Sequence, residues 1–101
     1  MRIDETLMSD ERIEIRVVYH GRVQGVGFRY TTNRIARRFP VSGSVRNLAD
    51  GTVELIVAGE AGQVRTFLAA ILDAFDGNIT LADEQPLDAA TDVPEGFSIR
   101  R

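Results

Sequence analysis

The run Gly21-Arg22-Val23-Gln24-Gly25-Val26-Gly27-Phe28-Arg29 is where residue types and spacing point most directly to chemistry. Glycine lets the backbone turn tightly and gather several N–H groups with no side chain in the way. Arg29 falls in the first turn of a helix-like segment. Clustered N–H groups, a helix N-terminus and a guanidinium together suit a tetrahedral oxyanion such as phosphate. The backbone of Val23, Gln24, Gly25, Val26, Gly27 and Phe28 is the expected cradle, and a Cβ at Gly25 or Gly27 is expected to block its path. Arg29 can grip two phosphate oxygens through its planar fork. Arg22, at the loop entrance, is expected to stay peripheral. A Walker A loop is excluded, because it needs a lysine and all 12 basic residues here are arginine. As a lone pattern, the glycine spacing equally fits a plain strand-to-helix connection.

A second segment, Gly43-Ser44-Val45-Arg46-Asn47-Leu48-Ala49-Asp50-Gly51-Thr52-Val53-Glu54, offers an amide at Asn47. An amide can accept a hydrogen bond from water and donate another to phosphate. Taken alone, Asn47 reads better as an asparagine flanking the Asp50-Gly51 turn. His20 is the sole histidine, but at a strand end it reads as a surface residue. Asp50 and Glu54 are explained by the turn and by a solvent-facing strand position.

The two segments, in this order, resemble the two signatures of the acylphosphatases, small enzymes that hydrolyse acyl phosphates. GRVQGVGFR matches the first, and the second has the form G-x-V-x-N-x-x-D-G-x-V-E. The resemblance is closest from Ile13 to Gly59. It implies that Arg29 binds the phosphate and that Asn47 orients a nucleophilic water. It also implies a ferredoxin-like sandwich, with no metal and no cofactor. Ser44 departs from the pattern, standing where the family often has an aromatic residue, and the C-terminal third lacks the usual valine-rich fourth strand.

Those residues need elements to hold them. Ile13, Ile15, Val17 and Tyr19 alternate with Glu14, Arg16, Val18 and His20, the period of a half-buried strand. From Phe28 to about Phe39 the positions Phe28, Thr31, Ile35 and Phe39 fit one helical face, and Pro40 is expected to stop the helix. Asp50-Gly51 predicts a hairpin between Val45 and the run Val53-Glu54-Leu55-Ile56-Val57, with Gly59 ending that strand. Val64, Phe67, Leu68, Ile71, Leu72 and Phe75 form a second helical stripe. Ile79-Thr80-Leu81-Ala82 reads as a fourth strand, residues 83–96 as mostly loop, and Phe97-Ser98-Ile99 as a short last strand. The Asn78-Ile79-Thr80 sequon is read as chance. The expected fold is α+β: a ferredoxin-like two-layer α/β sandwich, βαββαβ, with a mainly antiparallel sheet and a short extra C-terminal strand. Residues 1–12 are expected to be a flexible tail and 13–101 the acylphosphatase-like domain.

Composition narrows the choice. The 101 residues suffice for one domain, and the absence of cysteine removes disulfides, thiolate nucleophiles and Cys-ligated zinc. A net charge of −3 argues against a general nucleic-acid binder. No apolar run approaches the ~20 residues of a membrane span. Met1–Thr6 lack a signal-peptide core, so a cytoplasmic location is expected. The expected activity is hydrolysis of a small-molecule acyl phosphate to a carboxylate and inorganic phosphate, by a monomer with no nucleic-acid or membrane partner. The alternative is a non-catalytic anion-binding module of the same fold. An RNA-binding sandwich fits poorly, because Val53–Val57 presents no aromatic for base stacking.

Overall fold

The computed structural model describes residues 11–88 and 90–101. Their order is β1 (Arg12–Gly21), α1 (Phe28–Ala36), β2 (Ser42–Asn47), β3 (Val53–Glu60), α2 (Ala61–Ala74), β4 (Ile79–Pro86) and β5 (Phe97–Arg100). The strands form one sheet in the order β4-β1-β3-β2-β5. All neighbours are antiparallel except β2 and β5, which run parallel. This is the expected ferredoxin-like α+β sandwich. Most of the expected tail lies outside the described residues; Arg12 already pairs with Glu60 in β1.

Alternation places Val17, Tyr19, Val45, Val53, Leu55 and Val57 on the face that meets both helices. Phe28, Thr32 and Ile35 bring α1 onto that face, and Val64, Phe67, Leu68 and Ile71 bring α2. Thr32 is thus the buried threonine rather than Thr31. Leu72, assigned to the stripe, is 46% exposed. It lies about 80° round the helix from Val64, at the margin of the buried arc. Phe75 is buried just beyond the last turn.

Three boundaries differ from expectation. α1 ends at Ala36, and the N–H groups of Arg37, Arg38 and Phe39 then donate to the carbonyls of Arg34, Ile35 and Ala36. Pro40 disfavours helical geometry in the residue before it, so the chain tightens ahead of it. β3 runs through Gly59 to Glu60. Residues 83–86 continue β4 instead of forming loop: Asp83, Glu84, Gln85 and Pro86 pair with Val18, Val17, Arg16 and Ile15. An edge strand has one free side, so it accepts charges and a proline that an inner strand would not.

β4 and β5 occupy opposite edges, so the chain between them crosses the sheet. It crosses the helix-free face, where Leu87, Asp88 and Thr91 share a cleft with Arg16, Arg46 and Ile56. β3 is therefore covered on both faces, and Val53 through Gly59 are all buried. Glu54 is among them at 5% exposure, which overturns the solvent-facing expectation. Its charge is held by Arg16 Nε and Arg46 Nε, both at 2.7 Å. Burial alone would push its carboxyl up; the hydrogen bonds and charges of the two arginines outweigh that and leave it below its ordinary value.

Candidate active site

The loop after β1 is fixed at both ends. Arg22 N–H donates to Asn78 O at 2.8 Å, and Asn78 Nδ2 returns a bond to Arg22 O at 3.1 Å. At the far end Phe28 packs between Tyr19 and Phe75, with ring centroids 5.0 and 4.5 Å away. Burial pushes the Tyr19 phenol far above its ordinary range, so the ring stays neutral.

Between these anchors Gly25 has φ 77° and Gly27 φ 78°. A Cβ at either would meet no protein atom within 4 Å, so within the fold it is the backbone angle that calls for glycine at both positions. Left-handed residues flanked by ordinary ones turn successive N–H groups to one side. Gly27 is the N-cap of α1, no side chain caps the helix, and no acidic residue stands in its first turn. Its first N–H groups are thus open to an anion.

A cleft of about 470 Å³ opens at this end of the sheet. Val23, Gly25, Gly27, Phe28 and Arg29 line one side, and Asn47 lines it from the last position of β2. Tyr30, Ile99 and Arg101 complete the wall. Arg29 Nη1 donates to Arg100 O at 3.3 Å. The structure therefore brings Arg29 and Asn47 to one cleft, although separate signatures supply them. Gln24 and Val26, both named for the cradle, are not among its lining residues, and neither are Arg22 and His20.

Asp50 stays in the turn. It accepts from the N–H and the hydroxyl of Thr52, and those bonds hold its carboxyl below its ordinary value. Sequence reasoning does not single out Tyr30, Ile99 or Arg101 for the cleft, and it names Gln24 for its backbone alone. Gln24 reaches the β2–β3 hairpin through its side chain, and Ile99 and Arg101 reach the cleft because β5 joins the sheet beside β2. A short last strand was expected, but no local signal names its partner strand. Hydrophobic spacing likewise carries nothing about a long polar side chain crossing to another loop.

Residues 15–99 match the acylphosphatase family profile. An acylphosphatase of Lacticaseibacillus paracasei is 39% identical over 88 residues, covering 83% of this chain and 91% of that protein. One from Salinibacter ruber is 39% identical over 94 residues, covering 92% and 96%. The crystal structure of the Bacillus subtilis acylphosphatase superposes with a TM-score of 0.77 at 29% identity, covering 90% of this chain and all of that one. The chain belongs to the acylphosphatase family. Its activity is that of a hydrolase acting on the carboxyl–phosphate bond of acyl phosphates, and a non-catalytic module is not favoured.

Proposed function

We propose that Arg29 and the backbone N–H groups of residues 23–28 hold the phosphoryl group while Asn47 orients the attacking water. The observation that carries this reading is the meeting of Arg29, at an uncapped helix N-terminus, with Asn47 in one cleft. The water oxygen bonds to phosphorus as the bond to the acyl oxygen breaks. The carboxylate leaves with the bonding pair, and the water's proton goes to the product phosphate. A departing carboxylate is a weak base, of parent pKa about 4, so no general acid is required. Preorganised N–H dipoles and a guanidinium can stabilise the equatorial oxygens. The amide needs only to place the water, not to take its proton.

The same reading assigns the work to residues 13–101 acting as a monomer in the cytoplasm, without metal, cofactor, nucleic acid or membrane. The net charge of −3 supports the nucleic-acid part. Benzoyl phosphate hydrolysis in a chelator tests the core of it. Turnover should persist in wild type and fall by about 10²-fold or more in Arg29→Ala. Loss in chelator reversed by a divalent ion, or an active Arg29→Ala, would remove the assignment.

A further inference from the structure

The role of Gln24 does not end at its backbone. Its side chain crosses from the anion loop to the β2–β3 hairpin, where Nε2 donates to Leu48 O at 2.8 Å and Thr52 O at 2.9 Å. A carboxamide has two N–H donors, and both are used. The two carbonyls belong to the turn itself. Thr52 O also accepts from Leu48 N–H at 2.9 Å, and Leu48 O from Gly51 N–H at 3.2 Å. Leu48 follows Asn47 directly in the chain. The amide thus ties the cradle to the residue beside Asn47.

The other anchors of the loop point elsewhere. Asn78 holds its start to the segment after α2, and the Tyr19–Phe28–Phe75 stack holds its end to the core. Among the side-chain hydrogen bonds of the described residues, those of Gln24 alone join the loop to the hairpin.

We propose that Gln24 is a positioning residue that sets the separation between the phosphoryl group in the cradle and the water on Asn47. This rests on the roles given above to Arg29 and Asn47. Gln24 acts through the hairpin and touches neither reactant with its side chain. Reaction needs the water oxygen about 3–3.5 Å from phosphorus, and a displacement of about 1 Å can cost roughly 10²-fold in rate. Cradle and guanidinium stay in place without the clamp. Its loss therefore appears in kcat and not in phosphate affinity.

The experiment measures benzoyl phosphate kinetics, inhibition by inorganic phosphate, and melting curves. It compares Gln24→Leu and Gln24→Glu with Arg29→Ala and Asn47→Ala. Gln24→Leu should lose about 10²-fold in kcat, while its phosphate inhibition constant stays within about threefold of wild type. Gln24→Glu sets a carboxylate against two carbonyls, and protonation returns one O–H donor. Its kcat relative to wild type should therefore rise as pH falls toward and below about 4.3, and the Gln24→Leu ratio should stay flat.

Wild-type kcat in folded Gln24→Leu overturns the proposal, as does an equal loss of phosphate binding. A merely structural role would lower Tm, leave kcat per folded molecule intact and give flat ratios for both variants. If Gln24→Leu does not fold, the pH ratio of Gln24→Glu decides. Turnover surviving in Arg29→Ala and Asn47→Ala sinks the underlying reading. Its loss there with full activity in Gln24→Leu sinks the clamp alone.

Discussion

Nη1 of Arg29 donates to the backbone carbonyl of Arg100, 3.3 Å away, so the arginine of the first helical turn is braced by the last strand. The bond uses one of five guanidinium donors and leaves the others for a ligand. The acceptor is main chain, so the brace does not depend on the Arg100 side chain.

Phosphate should therefore stabilise the folded protein through Arg29. At about 100 times Kd the linkage amounts to about 2.7 kcal/mol. In a domain of this size that is roughly ten degrees or more in Tm. Arg29→Ala should lose most of the shift, and Arg29→Lys should keep part, since it retains charge without the fork. A melt titration with phosphate, using chloride at matched ionic strength as control, makes the measurement. An equal shift in wild type and Arg29→Ala would place the anion elsewhere.

Asn47→Ala should lose about 10²–10³-fold in kcat and keep most of the phosphate shift. The residue ends β2 at a half-buried position, so the fold should survive. Near-normal kcat in the folded variant rules out water placement.

Gly27 tests the loop backbone. With no atom within 4 Å of a Cβ, any cost of substitution comes from its φ of 78°. Gly27→Ala should cost about 1–2 kcal/mol and Gly27→Asn less, because asparagine visits the left-handed region more readily. Equal Tm values for the two variants would count against a dihedral origin.

Glu54 gives a pH signature. Its folded carboxyl lies below the ordinary 4.5, so its stabilisation is complete above that value and is lost as pH falls through the folded one. Glu54→Gln should cost about 1–3 kcal/mol at neutral pH. The lower end is expected, because Arg16 and Arg46 remain 30% and 40% exposed. The gap to wild type should close in acid, where both are uncharged. Melts from pH 7 to 3 would show parallel curves if the carboxylate contributes nothing.

The glycine loop, the Asp50-Gly51 hairpin and both helices were legible because their signals are local: glycine angles, turn chemistry and periodicity. The burial of Glu54 was not, because cover on the helix-free face comes from a chain crossing between distant strands. The length of β4 was masked by charges and a proline that only its edge position makes acceptable. The pairing of Arg29 with Asn47 came from the two signatures and not from spacing, and the structure puts both on one cleft. That cleft forms where β1 and β2 flank β3, and the Gln24 side chain that joins its loop to the hairpin is a contact that spacing does not reveal.

β5 has four residues and pairs with β2 alone, yet it carries the carbonyl that braces Arg29 and the Ile99 wall of the cleft. Short edge segments open at a lower free energy than the whole fold. With the role proposed above for Arg29, turnover is staked on one of the least secured parts of the sheet. In rising urea the enzyme should fall silent while circular dichroism still reports a native backbone. Coincident activity and dichroism curves would mean that β5 opens only when everything does.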